Sequence, residues 1–142
     1  MYGNTRNYQN TDIATADRGK LILMIYDHCL KWCNAAIDAI ERGDIETRTK
    51  AIFKVQDGIT ELLCALDFDK GGEVATNLQR LYDFYNHHLS EANIQNSAKN
   101  VQEVKTMMSS LREAWVQCFD NVRKTGTVNM SAASRSNVSL VG

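Results

Sequence analysis

The groups in this 142-residue chain that could do chemistry are three histidines, four cysteines and one acidic glycine turn. A di-iron centre in a helical protein takes Glu-x-x-His pairs from facing helices, because residues three apart project from one face. The positions three before His28, His87 and His88 hold Ile25, Phe84 and Tyr85, so that motif is missing. Asp67-x-Asp69-x-Gly71-Gly72 has the opening of a calcium loop, with glycine at its sixth position. The fifth position is Gly71 and the twelfth is Leu78, where the loop needs a ligand and a bidentate glutamate, so the segment reads as an ordinary acidic turn. Cys29 and Cys33 share a helix face, and Cys118 falls on the predicted inner face of the last helix, so three thiolates could meet at a metal. The simpler reading makes them small buried apolar residues. Adjacent His87 and His88 would point about 100° apart on a helix, which does not make a ligand pair, and His88 falls at the edge of the buried stripe. A glycine-rich phosphate loop is also missing. The residues give no support to an enzyme, a cofactor or a metal centre.

The elements that must carry these residues are helical. There is no proline, which removes the commonest helix breaker. Hydrophobic residues make up 44% and charged residues 23%, the balance of a globular protein long enough to bury one core. A formal net charge of -1 gives no general attraction to nucleic acid or to an anionic membrane. The longest apolar run, residues 21–26, falls far short of the roughly 20 residues of a membrane span, so no membrane insertion is expected. The first residues lack a basic segment followed by an apolar one, as a secretory signal would have. The cysteines then read as reduced thiols of a cytoplasmic protein.

Asp17 is the expected N-cap of a first helix that ends near Arg42, where Gly43 stops it. Asp44 caps a second helix from Ile45 to about Asp67, with Ile45, Ile52, Ile59 and Leu66 at intervals of seven and Val55 and Leu62 between them. Gly71-Gly72 breaks the chain before a third helix from Glu73 to about Ile94. Its apolar face is Val74, Leu78, Leu81, Tyr82, Tyr85, Leu89 and Ala92. Ser97 starts a fourth, with Val101, Val104, Met108, Leu111, Trp115, Cys118 and Val122 on one face. Four helices of about 20–26 residues joined by short connections predict an all-α, antiparallel up-down-up-down four-helix bundle over residues 17–124. A flexible segment over 1–16 is expected before it and a disordered tail over 125–142 after it.

The first helix carries more apolar surface than such a bundle needs. Ile22, Ile25, Tyr26, Cys29, Cys33, Ala36, Ile37 and Ile40 face the core, Leu23 and Leu30 extend that arc on one flank, and Leu21 and Trp32 extend it on the other. Met24 lies almost opposite. The arc spans about 200°, against the ~100° stripe of a bundle helix. Phe53, Cys64 and Phe84 also lie off the main stripes of their helices. Surplus apolar surface rimmed by charge suits a groove for a partner helix, and it also suits a half-buried bundle edge. Tyr2 or Tyr8 could cover such a groove in the free protein.

The order and wording of the chain resemble the flagellin export chaperone family, FliS. Tyr8-Gln9-Asn10 and Thr15-Ala16 precede Lys20-Leu21-Ile22-Leu23-Met24-Ile25-Tyr26-Asp27, followed by Ala36-x-x-Ala39-Ile40-Glu41 and Gly43-Asp44-Ile45. The strongest part is Leu66-Asp67-x-x-Lys70-Gly71-Gly72-Glu73-Val74-Ala75-x-Asn77-Leu78, continuing through Leu81-Tyr82-Asp83-Phe84 to Glu91-Ala92-Asn93. Glu103-Val104 and Leu111-Arg112-Glu113-Ala114-Trp115 complete it. The family's first helix usually opens Ser-Pro-Glu, where this chain has Asp17-Arg18-Gly19 and Gly19 should loosen the first turn.

The resemblance implies a cytoplasmic binding protein, without metal or nucleotide, that holds the disordered C-terminal segment of flagellin. It would prevent premature polymerisation and deliver its client to the flagellar type III export gate. On this reading Leu21, Ile22, Met24, Ile25 and Tyr26 contribute to the flagellin-binding surface, with Leu81, Tyr82 and Tyr85 from the third helix. Tyr8 belongs to an N-terminal cap that flagellin displaces. A helical adaptor for another flagellar export or regulatory protein is the rival reading, and a metal-binding bundle built on the cysteines is a second.

Overall fold

The computed structural model describes residues 15–125. Four helices follow one another: α1 (Thr15–Arg42), α2 (Ile45–Cys64), α3 (Phe68–Gln95) and α4 (Ala98–Thr125). Each packs on its neighbours in the chain, and α4 returns to pack on α1, closing a four-sided bundle. Cross-helix contacts give the directions. Arg48 and Gln56 of α2 reach Asn93 and Ser90 of α3, while Gly19 and Asp27 of α1 meet Phe119 and Arg112 of α4. Partners therefore run in opposite senses.

The connections explain the sharp reversals. Gly43 is left-handed, its N–H returns to Ile40 O, and the Asp44 N–H returns to Ala39 O, which satisfies the last carbonyls of α1. Asp44 then caps α2 by accepting from the Thr47 N–H at 3.1 Å. Hydrogen bonds from Thr47, with Arg42 close by, hold the Asp44 carboxyl below its ordinary range. Asn96 adopts the left-handed conformation at the end of α3, and Ser97 accepts from the Asn100 N–H to start α4.

Three boundaries differ from the sequence reading. Asp17 lies inside the first turn of α1 rather than capping it. The second helix stops at Cys64, and Asp67 instead caps a new turn by accepting from the Lys70 N–H at 3.0 Å. That turn, beginning at Phe68, is joined to the rest of α3 across a kink at Gly72, whose φ of 51° and ψ of -123° favour a residue without Cβ. Regular helix resumes at Glu73, as expected. Ile45 also leaves the α2 stripe: it sits at the exposed first turn, while Ile52, Val55, Ile59 and Leu62 are buried.

The core contains a polar knot. Tyr26 of α1 and Tyr82 of α3 share a hydroxyl–hydroxyl hydrogen bond of 2.6 Å, and Trp115 Nε1–H of α4 donates to Tyr26 Oη at 3.0 Å. Three helices are thereby fixed in register by groups that burial would otherwise penalise. On the α1–α2 seam, Gly58 lets the helices approach closely. A Cβ there would stand 2.5 Å from Cys29 Sγ and 3.1 Å from His28 Cδ2. His28 Nε2 bonds Lys54 O at 2.9 Å on the same seam. Gly58→Ala should therefore destabilise by about 1–3 kcal/mol through overpacking, against the roughly 1 kcal/mol that helix propensity favours. An unchanged urea midpoint would remove this close approach from the account.

Candidate partner-binding surface

The cleft at one end of the bundle follows from unequal helix lengths. Among the described residues α2 spans 20, α1 and α4 span 28 each, and α3 reaches 28 only by counting the turn before its kink at Gly72. The shortfall relative to α1 and α4, about 12 Å of helix at ~1.5 Å per residue, lies at the end of the bundle that holds Gly19, Cys64 and Phe119. Core stripes that continue past Cys64 lose their cover there. Ile22, Leu66, Val74, Leu78, Trp115 and Phe119 line a cleft of about 470 Å³ at this end, with Arg18 and Lys70 at its rim. A second cleft of about 320 Å³, lined by Leu23, Phe119 and Val122, lies on the α1–α4 side. Phe119 is the wall between them. Its ring stacks on Trp115 at 5.4 Å and rests against Gly19, where a Cβ would come within 3.0 Å. Gly19 thus gives an aromatic ring a seat on the backbone of α1, at the cost of helix propensity.

The structure divides the residues expected to bind a partner. Ile22 lines the cleft. Leu21 and Ile25 are half-buried. Met24 is 59% exposed on the outer side of α1, apart from the cleft. Tyr26, Leu81, Tyr82 and Tyr85 lie in the core, where they shape the scaffold under the surface rather than face solvent. Burial drives the Tyr26 and Tyr85 hydroxyls well above the ordinary phenol range and pushes Tyr82 up to about 12. Tyr8 lies outside the described residues.

Phe53, Cys64 and Phe84 are exposed, as their positions off the stripes imply. Ile45, Phe68 and Ile94 add further exposed apolar side chains. Sequence reasoning missed Phe119 and the roles of Leu66, Val74 and Trp115. Trp115 and Val122 sit on a helical stripe that looks entirely internal, and only the stop at Cys64 turns its last part into a wall. The pairing of Gly19 with Phe119 joins residues 100 positions apart and leaves no local signal.

Polar groups fix the scaffold. Arg112 donates to both carboxylate oxygens of Asp27, at 2.7 and 3.3 Å, tying α4 to α1. Arg48 donates to Asn93 and Asn96. His87 pairs with Glu91 along α3. His88 stacks on Phe84, and its Nε2 lies 3.3 Å from Glu103 Oε2, within ion-pair reach but not aligned as a hydrogen bond. Among the described residues no three histidine, cysteine or acidic side chains group as a metal site. Burial pushes the Cys33 thiol up to about 12 and Cys29 higher, which opposes thiolate ligation. Among the same residues no helix is long and apolar enough to cross a membrane.

The family model described as flagellar protein FliS matches residues 1–122. The chain is 34% identical over 117 residues to the flagellar secretion chaperone FliS of Bacillus subtilis, covering 82% of this chain and 86% of that protein. Identity to the flagellar secretion chaperone FliS of Campylobacter jejuni is 38% over 114 residues, with 80% and 89% covered. The flagellar secretion chaperone FliS of Salmonella typhimurium is 36% identical over 106 residues, with 74% and 78% covered. With its four-helix bundle and its match from residue 1 through most of α4, the chain belongs to the FliS family of flagellar proteins.

Proposed function

We propose that this protein is a cytoplasmic, non-enzymatic chaperone. It binds the disordered C-terminal segment of flagellin, prevents premature polymerisation and hands the client to a component of the flagellar export gate. The observation that carries this reading is uncovered apolar surface on a preformed helical scaffold, in a chain whose relatives are named flagellar secretion chaperones. A segment that is unstructured alone gains most by laying apolar faces of nascent helices on such a surface. Ordering the segment offsets part of the gain, which keeps a large wrapped interface releasable.

In this reading Ile22, with Leu21 and Ile25 beside it, takes apolar side chains of the client near the cleft, and Met24 extends the contact around α1. Tyr26, Leu81, Tyr82 and Tyr85 hold the helices that shape this surface. Tyr8 caps it in the free protein. Met24→Asp tests the surface with little risk to folding, since the side chain is largely exposed. It should weaken binding of the flagellin segment about tenfold, or ~1.4 kcal/mol, in a calorimetric titration while the helical spectrum and melting stay unchanged. Unchanged affinity would take Met24 out of the interface.

A further inference from the structure

The larger cleft and the polar knot of the core share side chains that lie one helical turn apart. On α1, Ile22 lines the cleft, and Tyr26, four residues on along the same face, is wholly buried. On α4, Trp115 and Phe119 both line the cleft, their rings stacked with centroids 5.4 Å apart. Trp115 is half-buried, and its Nε1–H turns inward to donate to the Tyr26 hydroxyl at 3.0 Å. That hydroxyl is held in turn by Tyr82 at 2.6 Å. An indole has one donor and no acceptor, so this bond decides which edge of the ring faces the core.

We propose that Trp115 is a contact residue for the client and that Tyr26 is its positioning residue, holding the indole N–H in the core so that the ring's carbon face, stacked on Phe119, forms the cleft wall. This rests on the reading that the cleft takes apolar side chains of the flagellin C-terminal segment. Without the Tyr26 hydroxyl the indole N–H would be buried with no acceptor, a state that folded proteins avoid. Rotation of the indole toward water relieves it. The wall then presents a polar N–H and a disturbed stack in place of apolar carbon. The bond therefore sets on folding an orientation that the client would otherwise have to select, and aromatic side chains held in this way carry much of the energy of an interface. Tyr26, which the sequence places among the client's contacts, thus takes part in binding from the core.

The test is a double-mutant cycle in a calorimetric titration with a peptide of the flagellin C-terminal segment, at a temperature where each full-chain variant keeps its helical spectrum. Trp115→Phe and Tyr26→Phe should each weaken binding about fivefold. In the Trp115→Phe background, Tyr26→Phe should leave affinity within about a factor of 1.5. Emission supplies a readout that needs no change in the core. With Trp32→Phe, Trp115 is the sole tryptophan, and the peptide should shift its emission to the blue. Wild-type affinity in Trp115→Phe overturns the proposal. An equal loss from Tyr26→Phe in both backgrounds also overturns it, by assigning Tyr26 to the scaffold alone. So does emission that the peptide leaves unmoved, or that moves with protein concentration alone, which would seat a second copy on the wall. A wild-type chain that does not bind the peptide defeats the functional reading and the proposal with it, whereas binding that leaves Trp115 uninvolved defeats the proposal alone.

Discussion

Raising the pH from 8 to 11 will unfold this bundle, in a single transition that coincides with ionisation of its buried tyrosines. Tyr26, Tyr82 and Tyr85 lie in the core together with Cys29 and Cys33, and burial raises the pKa of all five, so each stays protonated in the folded state. In the unfolded chain these thiols and phenols ionise near their ordinary values of about 8.5 and 10. The folded state therefore binds more protons than the unfolded one above about pH 9, and stability falls as the pH rises. It is fully present below the unfolded pKa values and is lost toward the folded ones, near 12 for Tyr82 and Cys33. Each group can remove about 1.4 kcal/mol per pH unit once its unfolded counterpart ionises. Five together remove several kcal/mol within two units, comparable with the roughly 5–15 kcal/mol total of a typical domain. Tyrosinate absorbance and loss of helical ellipticity should share one midpoint. Ionisation of all the tyrosines near pH 10 with the helices intact would show that Tyr26, Tyr82 and Tyr85 are accessible.

Tyr26→Ala will cost about 3–5 kcal/mol, the range for truncating a large buried aromatic side chain. Tyr26→Phe will cost about 1–3 kcal/mol, because it keeps the ring but leaves the Tyr82 hydroxyl and the Trp115 N–H without their shared partner. The two substitutions separate packing from hydrogen bonding. Tyr82→Phe should cost less than Tyr26→Phe, since Tyr26 keeps the Trp115 donor when Tyr82 loses its hydroxyl. Denaturation midpoints measure all three. Equal losses for the two phenylalanine variants would contradict a network centred on Tyr26.

The same tyrosines mark where the sequence stopped being readable. Three- and four-residue spacing placed Tyr26, Tyr82 and Tyr85 on inward faces, but an aromatic on an inward face can fill a core or line a groove. The two differ only in what covers it, which depends on the lengths of the other helices. Leu66 continues the seven-residue rhythm of Ile52 and Ile59, and so hid the end of α2 at Cys64. The cleft was invisible for the same reason, because it exists through the missing turns of α2 and not through any motif. By contrast, the Gly43-Asp44 reversal, the break at Gly72 and the start of α4 after Ser97 were legible, since caps and left-handed positions are local chemistry. Met24, Phe53 and Phe84 were legible as outliers from their stripes, and all three are exposed. Gly19 reads locally as a weak first turn. Its actual use, seating Phe119, belongs to a contact across the bundle.

Under the proposed function this scaffold would hold the C-terminal segment of flagellin. Size-exclusion chromatography of the protein mixed with flagellin that retains or lacks that segment tests it most directly. The account predicts a stoichiometric complex with the retaining form and two separate peaks with the lacking form. Separate elution from both forms, or an equally stable complex with flagellin lacking the segment, would contradict it.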